Sequence, residues 1–240
     1  MTSEHIVRAF DEDLNKLDNI IAEMGGLAEH QLADAIEAMV RRDSTLAEQV
    51  IASDKRIDAL EKEVDELAVK MLALRQPMAE DLRVVITALK TSGIVERIGD
   101  YAKNIAKRSV AISQTPPIGP TKTIARMGAQ VQAMIKNVLD AYVARDAGKA
   151  DLVRESDSEV DLLHTSLFRE ILTYMMEDPR NISSCTHLLF VAKNIERIGD
   201  HATNIAENVH FLVHGNLPTE KRSKDDQSSY TIVETEGSEP

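Results

Sequence analysis

Tryptophan is missing from this sequence, and aromatic residues make up only 3% of it. Any core must therefore be built from Leu, Ile, Val, Ala and Met. Strands draw on β-branched and aromatic residues, whereas an aliphatic composition rich in Ala, Glu and Lys favours helix. The single cysteine, Cys185, has no partner for an internal disulfide, which fits a reducing compartment. No run of about 18 apolar residues is present, so no helix is expected to span or insert into a membrane. Residues 1–10 carry Glu4, His5 and Arg8 and no long apolar stretch. No secretory signal is expected there, and the expected location is cytoplasmic.

Positive charge is also scarce: 28 Lys and Arg stand against 40 Asp and Glu, a formal net charge of −12. Such a surface repels duplex nucleic acid unless a local basic patch overrides it, and none is visible, so no nucleic-acid partner is expected. Anionic lipid is disfavoured for the same reason. Cations and basic partner surfaces are favoured. Familiar catalytic signatures are missing too, with neither a Gly-rich phosphate loop nor a Gly-x-Ser-x-Gly elbow. A ferritin-like di-iron bundle wants Glu-x-x-His on two helices. Asp161-x-x-His164 comes near that pattern, but its counterpart ends in Glu61.

What the sequence does hold is an internal repeat. Val95-Glu96-Arg97-Ile98-Gly99-Asp100 returns as Ile195-Glu196-Arg197-Ile198-Gly199-Asp200, and Asn104-Ile105-Ala106 as Asn204-Ile205-Ala206, at an offset of 100. Upstream, Met24-Gly25 matches Met127-Gly128, Arg42-Asp43 matches Arg145-Asp146, Ser53-Asp54 matches Ser156-Asp157, and Ile57-Asp58 matches Val160-Asp161, all at an offset of 103. The slip of three places a deletion in the second copy, in the loop near Pro179 that corresponds to the one at Pro77. Between the copies lies Pro116-Pro117-Ile118-Gly119-Pro120, which cannot stay helical.

The expected divisions are a first repeat over 1–115, a Pro-rich linker over 116–120, a second repeat over 121–214, and a polar, mobile tail over 215–240. Each repeat reads as three helices: 6–41, 44–74 and 79–113, then 122–144, 149–176 and 182–213. Asp43 and Ser44 can cap the second helix. Short connections force antiparallel neighbours. The expected fold class is all-α, with two tandem homologous three-helix antiparallel bundles.

Chemistry concentrates on the second and third helix of each repeat. Glu96, Asp100 and Asn104 are spaced four and four, as are Glu196, Asp200 and Asn204. A step of four advances roughly 40° around a helix, so these oxygens form a slowly winding stripe. It falls nearly opposite the apolar stripe Thr91, Val95, Ile98, Ala102 and Ile105, so these acids are expected to face away from the core. Asp54, Asp58 and Glu61, matched by Asp157, Asp161 and His164, lie on one face of the second helix. Two such stripes could meet along one groove. Carboxylates with an amide oxygen and one imidazole suit a hard or borderline cation such as Mg²⁺, Mn²⁺ or Fe. A solvated helix face is the plainer alternative, and the recurrence in both copies weighs toward the cation. Arg97 and Arg197 read as surface ion-pair partners. Gly99 and Gly199 each cost about 1 kcal/mol of helix propensity relative to Ala, which points to close helix approach. Gly25-Gly26 leaves close approach and a kink both open.

The stretches Glu96-Arg97-Ile98-Gly99-Asp100 and Glu196-Arg197-Ile198-Gly199-Asp200 resemble the acid-x-x-x-Asp signature of the PhoU family. Arg75-Gln76-Pro77-Met78-Ala79-Glu80-Asp81-Leu82-Arg83 resembles the family's first inter-helix loop. Phe10-Asp11-Glu12-Asp13-Leu14 and Met24-Gly25-Gly26-Leu27 resemble its N-terminal helix. The resemblance runs from about residue 5 to residue 214. It implies two tandem three-helix bundles and metal ions at the repeated motifs, reported in some members as iron clusters. It also implies a cytoplasmic regulator that restrains phosphate-starvation signalling and phosphate uptake. The implied partners are the ATPase of the phosphate ABC transporter and the phosphate-responsive sensor histidine kinase, and a homodimer is the expected assembly. His164 in place of Glu61 makes the two copies unequal. A metal-dependent hydrolase working in the acidic grooves, and a purely structural adaptor, are the competing readings. Catalytic metal needs an open coordination position, a shaped cavity and a tuned base. Acids expected on outward helix faces favour regulation without catalysis.

Overall fold

The computed structural model describes residues 2–219, 226 and 228–231, with side chains from residue 10 onward except that of Ser229. Its helices are α1 (Thr2–Arg41), α2 (Ser44–Arg75), α3 (Ala79–Ser113), α4 (Thr121–Ala144), α5 (Ala147–Glu177) and α6 (Ile182–His214). Short 3-10 turns cover Pro179–Asn181 and Ser228–Tyr230. Among the described residues there is no strand.

Matched caps start matched helices. The Asp43 carboxylate accepts from the N–H groups of Thr45 and Leu46, each at 3.0 Å, and so begins α2. Asp146 does the same for α5, accepting from Lys149 N–H at 2.9 Å. Such caps are worth about 1 kcal/mol each. Just before them, Arg42 and Arg145 both take the left-handed conformation, at φ 59° and 54°, and reverse the chain. The slip between copies sits in the next connection. At an offset of 100, the turn Pro179–Asn181 stands where α3 has its first turn. Residues 114–120, around the Pro-rich segment, are non-helical.

α1, α2 and α3 pack on one another, as do α4, α5 and α6. The two trios are not separate cores. α3 lies along α6 and α1 along α4, and one continuous apolar cluster runs through both. Leu17, Ile21, Met24 and Leu32 of α1, Ile57 and Leu60 of α2, and Ile98 and Ile105 of α3 share it with Ile124 and Tyr142 of α4, all fully buried. The α1–α4 seam interdigitates reciprocally. A Cβ on Gly25 would collide with the Leu139 side chain, and one on Gly128 with Ile36. Gly25 and Gly128 are 103 apart, and so are Ile36 and Leu139. Close approach is thus the role of Gly25, and each seated aliphatic side chain contributes about 1.5–3 kcal/mol of burial. On the α3–α6 seam, Tyr101 stacks on His201, its counterpart at offset 100, with ring centroids 5.6 Å apart.

Candidate metal centres

In the first repeat, Asp54 of α2 is only 3% exposed. It lies against Gly99 of α3, where an added Cβ would sit 3.4 Å from Asp54 Oδ1, 3.2 Å from Gln31 Oε1 and 2.9 Å from Ile57 Cδ1. The room the glycine leaves is taken chiefly by Ile57 and Gln31, with the Asp54 carboxylate at ordinary contact distance beside them. Lys103 Nζ donates to Asp54 Oδ2 at 2.6 Å and to Asp100 Oδ1 at 3.1 Å, one ammonium shared by two acids. The hydrogen bond to Asp54, foremost, holds the Lys103 pKa above the usual lysine range. Glu96 is pushed up to about 7, first by burial and then by the charges of Asp100, Glu61, Asp58 and Asp54. Glu61 is raised by burial and then by Asp65 and Asp58. Carboxylates thus crowd around Glu96 and Glu61, with the Lys103 ammonium shared between Asp54 and Asp100 and with Lys62 and Arg97 partly offsetting the repulsion at Glu61. Glu61 and Glu96 line a cleft of about 620 Å³ with Arg97, His201, Asn204 and Glu207.

The second repeat rebuilds the arrangement with different cations. Asp157, Asp161, His164, Glu196 and Asp200 are all buried. Gly199 again leaves the room, for a Cβ there would lie 3.1 Å from Asp157 Oδ1. The bridging ammonium is now Lys193, with Nζ 3.0 Å from Glu196 Oε2 and 3.2 Å from Asp226 Oδ2. His164 Nδ1 is 3.2 Å from Asp226 Oδ1. Arg197 Nη1 reaches Asp200 Oδ2 at 3.5 Å. Burial raises the Glu196 pKa, partly offset by Lys193. Burial also opposes the charge on Asp226, but hydrogen bonds from Ser228 and His164 outweigh it and hold this carboxyl below its usual range.

Several expectations need correction. On α6 the acids do not face away from the core, since Glu196 and Asp200 are buried; on α3 Glu96 is partly buried while the Asp100 side chain is half exposed, and on α2 and α5 Asp54, Asp157 and Asp161 are buried and Asp58 and Glu61 partly so. The reason is that α3 packs against α1, α2 and α6, and α6 against α3, α4 and α5, so neither keeps a broad solvent face. Asn104 and Asn204 are exposed. Asn204 lines the first repeat's cleft beside Glu61 and Glu96. Arg97 and Arg197 do sit at the surface, and Arg197 pairs with Glu196 and Asp200. From residue 215 on, the described Asp226 and Ser228–Tyr230 lie against α5, and residues 220–225, 227 and 232–240, on which most of the expected tail falls, lie outside the described residues. Sequence reasoning missed Lys103, Lys193 and Asp226. The two lysines stand three residues from an acid of each motif, a spacing that brings side chains together on a helix.

Among the described residues, no three His, Cys, Asp and Glu side chains are set to hold a metal ion. Lysine ammonium groups stand between the carboxylates instead. Oxygen donors, the kind a hard divalent cation takes, dominate both sites, and burial followed by neighbouring charges raises Glu96 and Glu61.

A model of the PhoU domain matches residues 21–109 and 124–209, one on each trio of helices. A Zymomonas mobilis protein named phosphate-specific transport system accessory protein PhoU homolog is 53% identical, over 92% of this chain and 94% of its own length. A protein of the same name from Caulobacter vibrioides is 51% identical, over 92% and 97%. The crystal structure of PhoU from Pseudomonas aeruginosa matches with a TM-score of 0.83 at 41% identity, over 86% of this chain and 100% of that one. The phosphate transport system regulatory protein PhoU from Streptococcus pneumoniae matches at 0.82 and 27% identity, over 88% and 100%. With a PhoU domain on each trio of helices and relatives above 50% identity over more than nine-tenths of its length, the chain belongs to the PhoU family.

Proposed function

We propose that this chain is a non-catalytic accessory regulator of phosphate uptake, and that its two acidic sites bind divalent or iron-type metal. The names of its relatives, accessory proteins of a phosphate-specific transport system, support the first part. The metal part is supported by acids gathered at matched positions of the two repeats, where Glu96 and Glu196 are both raised by burial and by neighbouring carboxylates. Gly199 gives up helix propensity where the Asp157 carboxylate lies against backbone, and Gly99 gives it up where Ile57 and Gln31 crowd in beside Asp54. Asp54, Asp58, Glu61, Glu96 and Asp100 would hold one centre, and Asp157, Asp161, His164, Glu196 and Asp200 the other. A bound cation would supply the positive charge that offsets carboxylate repulsion. The chain's own part is to set these donors on α2 and α3 in the first repeat and on α5 and α6 in the second, with α3 and α6 packed on each other where the two repeats join.

The partners in this reading are the ATPase subunit of the phosphate ABC transporter and the phosphate-responsive sensor histidine kinase. The chain acts in the cytoplasm as a homodimer, without nucleic acid. Affinity capture with the full-length chain from cells grown at high phosphate tests it. Recovery of both proteins is expected, and a bait that retains neither sinks the proposal.

A further inference from the structure

The acid at the position of Glu61 becomes His164 in the second repeat. That loss is made good from a distant part of the chain. Asp226 accepts at Oδ1 from His164 Nδ1 at 3.2 Å and from Thr165 Oγ1 at 3.5 Å. Its other oxygen, Oδ2, lies 3.2 Å from Lys193 Nζ, the same ammonium that Glu196 Oε2 meets at 3.0 Å. Lys103 is shared in the same manner between Asp54 and Asp100 in the first repeat. In each repeat, then, one ammonium joins two carboxylates, and in the second repeat one of the two comes from the tail. The Ser228 N–H donates to Asp226 Oδ1 at 2.9 Å and fixes the carboxylate's direction. The Asp226 side chain is 14% exposed and that of His164 4%.

We infer that Asp226 is a working part of the second acidic site, positioning His164 through Nδ1 and sharing Lys193 with Glu196. A carboxylate only accepts, so the His164 proton sits on Nδ1. In the neutral ring Nε2 then keeps its lone pair, the form in which imidazole binds metal. A carboxylate on the far nitrogen is the usual device for orienting such a ligand. The effect on cation binding rests on the metal reading above; the docking of Asp226 on His164 does not.

Two measurements on the full-length chain with labelled histidine test this. In chelator, NMR of the imidazoles should show the His164 signals moved by Asp226→Asn and returned toward the parent position by Asp226→Glu, with the other six histidines unmoved. In Mn²⁺ titrations, Asp226→Asn should weaken about tenfold the binding event that Asp200→Asn weakens, leave the event tied to Asp100 alone, and be rescued by Asp226→Glu. His164 signals indifferent to Asp226→Asn overturn the inference. So does a second Mn²⁺ event unchanged in that variant. A parent chain that takes up no Mn²⁺ sinks the metal reading, and the histidine signals alone then decide whether Asp226 belongs to the site.

Discussion

Replacing Glu96 by glutamine should stabilise the metal-free chain at pH 8 and leave it unchanged at pH 4. The Glu96 pKa moves from 4.5 to about 7 in the folded chain, through burial and then the charges of Asp100, Glu61, Asp58 and Asp54. The sign follows from proton binding. Below pH 4.5 the carboxyl is protonated both folded and unfolded and costs nothing. Between pH 4.5 and 7 the unfolded chain releases the proton first, so the folded state loses stability as pH rises, and above 7 the penalty is complete. At roughly 1.4 kcal/mol per pH unit the ceiling is about 3 kcal/mol. Glu96 borders an open cleft, and solvent screening brings the expected gain down to about 1 kcal/mol. Urea unfolding of parent and Glu96→Gln in chelator, at both pH values, reads this directly. Saturating Mn²⁺ should reverse the sign at pH 8, because the charge is then needed. Equal stability differences at pH 4 and 8 would refute the reasoning.

Lys103→Met leaves buried Asp54 without its ammonium. Breaking a fully buried pair costs about 3–5 kcal/mol, and with the lysine 26% exposed the expected loss in chelator is about 2 kcal/mol. Mn²⁺ should restore most of it, and an equal loss with and without Mn²⁺ would contradict the metal reading. Gly99→Ala gains helix propensity but meets Ile57 Cδ1 at 2.9 Å, for a net loss of about 1 kcal/mol. Gly26→Ala meets nothing within 4 Å and should gain about 1 kcal/mol; urea midpoints that move the same way in both variants would refute the packing account. Tyr142→Phe deletes a hydroxyl that donates to Asp18 Oδ1 at 3.0 Å inside the α1–α4 seam. It should cost about 1–2 kcal/mol by thermal unfolding, and a loss below a few tenths would show that the bond contributes little.

Helix ends were legible because their signals are local. Asp43 caps where the sequence places it, Asp146 caps α5 at the matching position 103 residues on, and the same offset reappears in the left-handed turns at Arg42 and Arg145. The acids of α2 and α3, and of α5 and α6, were legible as pairs of stripes. Their burial was not. The periodicity of α3 shows one apolar face, but it cannot show that α6 covers a further side. Asn104 and Asn204 have the right spacing yet stand exposed. Two steps of four wind roughly 80° around a helix and carry the third member off the acidic face. Asp226 could not be read at all, because it reaches His164 across 62 residues with no repeat or spacing to announce it. Gly99 and Gly199 were legible as close approaches, but the structure alone shows what approaches: Ile57 foremost at Gly99, and the Asp157 carboxylate at Gly199.

Calorimetric titration of Mn²⁺ into the parent chain, Asp100→Asn and Asp200→Asn tests the two acidic sites most directly. Each change removes one formal charge at nearly constant volume, so folding should survive. The expected result is two binding events in the parent, with a different one weakened in each variant. If both variants titrate like the parent, these carboxylates are answered by side-chain cations such as Lys103, Lys193 and Arg197, and the sites bind no metal through the repeated motif.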